Sequence, residues 1–120
     1  MGVSRTYKEL AAEATKSRAR FAGAVFESDA ALAGWLGVNR SQLTRYKQGQ
    51  RPRGTTGWRL VGLEAVLAAL AQVLEDAAVP DWLWGTNAHL NHLRPIDVLH
   101  EGRVAEVMAA VEAERAGSIA

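Results

Sequence analysis

The sequence contains no cysteine. That excludes a disulfide framework and a cysteine-based zinc site, and it is compatible with a reducing cytosol. Alternating Val/Ile/Tyr runs are scarce, so strands are not expected. Alanine, leucine and glutamate dominate outside the turns and favour helix. The opening stretch MGVSRTYKEL lacks the apolar segment of a secretory signal, and the expected location is cytoplasmic. No glycine-rich phosphate loop, serine elbow, paired-histidine zinc helix or kinase-like signature appears, so an enzyme is not expected. At 120 residues the chain can bury a core as one domain, or as a small module with a tail.

What is present is an apolar run, Trp58–Leu74. Leu60, Leu63, Leu67, Leu70 and Leu74 recur at spacings of three and four, which is one helical stripe, and Val66, Ala69 and Val73 fill a second face. A helix apolar on most of its girth is expected to be buried on most of it. The run is too short and too interrupted for a membrane span. It reads as the central helix of a soluble all-α protein, with surplus apolar surface for a homodimer interface. It also divides the chain electrically: residues 1–59 hold 11 Lys+Arg and 4 Asp+Glu, +7, whereas residues 60–120 hold 3 and 9, −6. The two halves are built for different partners.

In residues 1–27, Tyr7, Leu10, Ala11, Ala14, Phe21, Ala22 and Val25 fit one helix, or two broken near Ser17. Lys16, Arg18 and Arg20 are expected on its outer side, either as a solvated basic face or as an arm near phosphate. Residues 28–50 carry denser signals. Ser28 can cap a short helix whose positive end suits Asp29, and Gly37 can stop it in a left-handed turn. Asn39 then caps a second helix, with Gln42 as a capping-box partner, and Gly49 ends it. Two short helices joined by a tight glycine turn form a helix-turn-helix. Ala33 is small at the expected crossing, and Val38, Leu43 and Tyr46 face inward. The segment resembles the Xre/Cro-type helix-turn-helix of bacterial and phage repressors.

With Leu43 and Tyr46 inward, Arg40, Ser41, Gln42, Thr44 and Arg45 remain for base edges, while Lys47, Arg51 and Arg53 are better placed for phosphate. A helical hairpin with a merely basic surface is the bland alternative, and DNA binding is preferred over it. Residues 50–57 read as a hinge, with Thr55 or Thr56 capping the central helix. The expected organisation is a helix-turn-helix module with an N-terminal helical arm over 1–57, joined through the long central helix to a small helical module, 58–120.

After Glu75-Asp76 come Trp82 and Trp84, one expected in a core and the other at an interface. Pro95 suits the first turn of a short helix, with Arg94 on its cap side and Asp97 near its positive end. Val104, Val107, Met108 and Val111 form the stripe of a last helix, Arg103–Arg115, and Gly117-Ser118-Ile119-Ala120 reads as an extended tail. His89, His92, Asp97 and His100 lie close in sequence. The segment reads as a loop that does not hold ligands in a fixed geometry, so these are packing and surface residues and no metal or cofactor is expected.

A tryptophan-initiated helix, Asn87, Leu90, the run Arg94-Pro95-Ile96-Asp97-Val98-Leu99, Gly102 and a terminal amphipathic helix together resemble the toxin-binding domain of Xre–MbcA–ParS family antitoxins. Asn91 and His92 stand where that family commonly has a glycine pair. Asn91 tolerates a left-handed backbone, and His92 does so less easily. The resemblance implies an antitoxin that binds a RES-domain, NAD-consuming toxin, occludes its active site, and represses its own operon through operator DNA. A homodimer that forms a higher hetero-oligomer with the toxin, and no membrane partner, complete that expectation. Toxin contacts are expected from Trp82, Trp84, Asn87, Arg94 and Asp97. They are also expected from Ser118, Ile119 and Ala120, whose anionic terminus suits a phosphate-binding pocket. The alternative is a stand-alone repressor whose C-terminal module dimerises or senses a ligand.

Overall fold

Ser28 and Asn39 act as local punctuation for the best-defined part of the chain. The Ser28 side chain accepts the Ala31 N–H at 3.1 Å and opens α2, Asp29–Leu36; the Asn39 side chain accepts the Gln42 N–H at 2.8 Å and opens α3, Arg40–Lys47. Between them Gly37 adopts φ +81°, and the Val38 N–H returns to the Ala33 carbonyl at 2.9 Å, closing α2 with the bond that only a left-handed residue at the turn allows. The computed structural model describes residues 6–119. The chain is all-α, with α1 at Tyr7–Gly23, α4 at Gly54–Leu70, α5 at Ala78–Trp84, a single 3-10 turn at Ala88–Leu90, α6 at Pro95–His100 and α7 at Val104–Ile119. Among the described residues there is no strand, only an isolated bridge between Asn87 and Leu93.

Contacts divide the chain into two units, one up to Leu60 and one from Val61, with α4 running through the division. In the first unit Ala19 and Ala22 of α1, Leu32, Ala33 and Leu36 of α2, Leu43 and Tyr46 of α3, and Leu60 form the core. Phe26 and Trp35 meet at 5.5 Å between ring centres, tilted by 53°. Thr15 is buried without cost to its hydroxyl, which donates to the Ala11 carbonyl one turn back at 3.0 Å. In the second unit Leu63, Val66 and Leu70 of α4, Val79 and Leu83 of α5, Leu90, Ile96, Val98 and Leu99 around α6, and Val107, Ala110 and Val111 of α7 are buried.

Several boundaries and faces differ from the sequence reading. The first segment is one unbroken helix, but its inward face is Thr15, Ala19 and Ala22, while Tyr7, Leu10 and Phe21 point to solvent; Lys16 and Arg18 are half-buried, not outer. The central helix begins at Gly54 and ends at Leu70, four residues earlier at each end than Trp58–Leu74. Thr55 and Thr56 lie inside it. The Thr56 hydroxyl donates to the Leu36 carbonyl at 3.2 Å, so it serves the end of α2 and not the start of α4. Past Leu70 the bonds shorten to Gln72 N–H on Ala69 and Val73 N–H on Leu70, and the helix gives way to turns.

The last helix continues past Arg115 to Ile119, so the expected extended tail is helical backbone over Gly117–Ile119, and Ala120 lies outside the described residues. A glycine inside a helix costs only about 1 kcal/mol relative to alanine, and the Ala-Glu-Arg-Ala stretch before it consists mostly of strong helix formers.

Candidate nucleic-acid and partner interfaces

Two residues set the orientation of α3. Leu43 and Tyr46 are buried, which turns Arg40, Ser41, Thr44 and Arg45 outward and leaves Gln42 and Lys47 half-buried. Gly49, at φ +103°, ends the helix, and the Gln50 N–H reaches back to the Arg45 carbonyl at 2.9 Å. That glycine is also a point of contact: a Cβ there would lie 3.0 Å from the Ala12 Cβ and 3.2 Å from the Ala12 carbonyl oxygen. The chain then turns through Arg51 and Arg53, both exposed, and an open groove of about 770 Å³ lies among Gln42, Tyr46, Gln50, Arg51, Pro52 and Arg53.

The outward side chains are not equivalent. Gln42 does not complete the capping box; its Oε1 accepts from the Arg45 guanidinium at 3.3 Å. The Thr44 hydroxyl donates to the Arg40 carbonyl at 3.0 Å, which uses its one proton and leaves the oxygen able only to accept. Lys47 forms an ion pair with Asp29 at 2.8 Å, so it is engaged within the unit, unlike Arg51 and Arg53. Gln50 was not singled out in the sequence. The signal available for it was its place directly after the glycine that ends α3.

The second surface is organised by Arg94. Its guanidinium lies 5.3 Å from the centre of the Trp84 ring and forms a two-pronged ion pair with Asp97, at 2.7 and 3.1 Å. Hydrogen bonding to Asp97, then its charge, raises the Arg94 pKa above the ordinary arginine value against a small desolvation effect. Pro95 occupies the first turn of α6 as expected, but Arg94 makes no side-chain cap and turns to Asp97 instead.

Of the two tryptophans, Trp82 is half-buried, with an indole N–H that meets no acceptor, and Trp84 is the exposed one. Asn87 holds the loop: its N–H donates to the Leu93 carbonyl at 3.0 Å, its carbonyl accepts the His92 N–H at 2.9 Å, and its side chain accepts the His89 N–H at 2.9 Å. The loop closes through two consecutive left-handed residues, Asn91 at φ 55° and His92 at φ 64°, the conformation that a glycine pair would take without strain. Trp84, Arg94 and Asp97 are thus brought together. Ser118 and Ile119 belong to the end of α7, and Ala120 lies outside the described residues. Among the described residues no group of three His, Cys, Asp or Glu could hold a metal ion, and no helix is long and apolar enough to cross a membrane.

The mycobacterial cidal antitoxin MbcA of Mycobacterium tuberculosis is 32% identical to this chain over 76 residues, which is 62% of this chain and 67% of the relative. The same protein of Mycobacterium bovis matches to the same extent. The chain belongs to the MbcA antitoxin family. No family model matches it, and no solved structure matches it.

Proposed function

We propose that the chain is the antitoxin of a toxin–antitoxin pair. The second unit, 58–120 by the sequence reading, binds a RES-domain toxin and occludes its NAD site. The first unit, 1–57, holds operator DNA as a helix-turn-helix and represses the operon. The observation that carries the toxin half is membership of a family named for an antitoxin. The DNA half rests on α3, whose outward residues are those that read base edges, with Arg51 and Arg53 placed beside them for phosphate. Paired half-sites call for a two-fold homodimer, and toxin bound to each copy makes a larger assembly.

On the toxin side, Trp84 stacked on Arg94 is the anchor: tryptophan and arginine are both residue types enriched among interface hot spots. Asp97 fixes the Arg94 guanidinium, and Trp82 and Asn87 complete the expected contact set. Ser118, Ile119 and Ala120 reach the toxin cleft only if the last turn of α7 unwinds, which Gly117 makes inexpensive. Co-expression with the adjacent reading frame is the test. The reading requires the toxin to co-purify with the chain and cell growth to be protected. It requires Trp84→Ala to weaken capture by at least about 2 kcal/mol, the scale of an interface hot spot. A chain shortened after Ala116 distinguishes the two modes: loss of protection with toxin still bound assigns occlusion to the terminus, and full protection assigns it to the Trp84 surface.

A further inference from the structure

Between Ser28 and Leu60 the sequence carries six cations, Arg40, Arg45, Lys47, Arg51, Arg53 and Arg59, and a single acid, Asp29. The fold delivers that acid to the end of α3. Asp29 opens α2, and its Oδ1 lies 2.8 Å from Nζ of Lys47 in the last turn of α3, 18 residues further along the chain. Among the described residues, Lys47 is the one cation of α3 and the turn after it that meets a carboxylate. Arg40, Arg51 and Arg53 form no ion pair, and Arg45 donates to the neutral Gln42.

The pair is not what holds the two helices. Leu32, Ala33 and Leu36 of α2 and Leu43 and Tyr46 of α3 are buried, and the Gly37 turn closes the joint between the helices. The cap of α2 is Ser28. The Lys47 and Asp29 side chains remain 36% and 50% exposed, and an ion pair that wet adds little to stability. What the pair does change is the charge that α3 has to offer.

We propose that Asp29 limits how tightly the first unit holds DNA, by keeping Lys47 from a phosphate. The proposal rests on the reading of α3 as the DNA-facing helix. A lysine that neutralises a phosphate releases a counterion whatever the base sequence. Withholding one therefore lowers affinity for every duplex alike, and leaves discrimination to the side chains that reach base edges. Lys47 stands in the turn of α3 that leads to Arg51 and Arg53, so its release extends a cationic run already in place.

The test is fluorescence anisotropy with the full chain on two labelled duplexes, one from the DNA upstream of its own reading frame and one unrelated. Each is titrated across salt. Asp29→Asn keeps the shape of the side chain and removes its charge. It is expected to tighten binding to both duplexes by the same factor, roughly fivefold to tenfold at about 0.1 M salt, and to steepen the slope of log K on log salt by about 0.9, the release of one counterion. In a Lys47→Ala background the same substitution is expected to change neither quantity. Asp29→Ala, a second uncharged variant, is expected to repeat the gain, with thermal unfolding little altered in either. Binding that is no tighter in these variants, or that tightens equally when Lys47 is absent, overturns the proposal. Weaker binding with a lowered unfolding temperature assigns the pair to clamping α2 on α3 and overturns it as well. If neither the wild-type chain nor any variant binds either duplex, the DNA reading fails and the proposal with it; wild-type binding without a gain from Asp29→Asn refutes the proposal alone.

Discussion

From Val61 onward every arginine is answered by a carboxylate within three residues: Arg94 by Asp97, Arg103 by Glu101 and Glu106, and Arg115 by Glu112. Up to Leu60 the pattern is different. Lys16 and Lys47 are paired, with Glu13 and Asp29, but Arg40, Arg51 and Arg53 form no ion pair among the described residues. A cation held by a neighbouring carboxylate must give up that partner before it can serve a phosphate, whereas one in water gives up only hydration and counterions. The second unit thus pairs its positive charge internally and leaves Glu75, Asp76 and Asp81 among its exposed acids. The first keeps positive charge available beside α3. The difference teaches that net charge understates the contrast, because what matters at a surface is which charges are already answered.

The largest expected effect breaks one unit and spares the other. Gly49→Val forces a β-branched residue into a left-handed turn and drives its Cβ against Ala12, at a cost of about 2–4 kcal/mol. Thermal unfolding should show a lowered first transition with operator binding lost, while toxin still co-purifies; equal loss of both activities would show that the units do not fold separately. Next, Arg45→Ala should cost about 1–3 kcal/mol in operator binding and relax sequence preference. Arg53→Ala should weaken all sequences alike and reduce the salt slope by about one. Identical, salt-insensitive losses from the two would remove the distinction between base and phosphate contacts. Lys47→Ala sharpens the same point, because its pairing with Asp29 predicts a smaller change in slope than Arg53→Ala gives.

How much of this was legible depended on whether the signal was local. The α2–turn–α3 segment could be read because Ser28 and Asn39 cap through side chains that reach only three residues on, and Gly37 and Gly49 act through their own backbone, and each acts as read. The Trp84–Arg94–Asp97 cluster was legible only as a list, because stacking between residues ten apart in sequence, across a loop, leaves no periodic mark. The outward turn of Tyr7, Leu10 and Phe21 was not legible at all. Periodicity finds an apolar stripe but cannot say whether the chain's own core covers it, and α1 packs through its alanines, which allow closer approach.

Two smaller effects sharpen the description of the second unit. His92→Gly should stabilise it by about 0.5–1 kcal/mol, the relief of a left-handed side chain less the entropy glycine adds to the unfolded chain. Destabilisation instead would reveal a contact made by the imidazole. The smallest effect is acid sensitivity at Glu106. Hydrogen bonds from Arg103 hold its pKa below the ordinary carboxylate value. A depressed folded pKa contributes stability above the unfolded value, and that contribution is lost as pH falls through the folded one. Glu106→Gln should therefore lower stability slightly at neutral pH, where that contribution is present, and flatten the acid limb of the stability curve below about pH 4.5, where the two proteins converge.

Gly62 has a consequence for how such a chain can change over generations. A Cβ at that position would stand 2.8 Å from Cγ2 of Val104, too close for either to remain. Replacement by alanine requires Val104 to shift, and is relieved once Val104 has become alanine. The order of two substitutions is therefore constrained: the step at 104 opens a small gap in a half-buried position, and the step at 62 fills it while adding a better helix former. Taken in that order neither step meets the clash; taken in reverse, the first must displace the Val104 side chain.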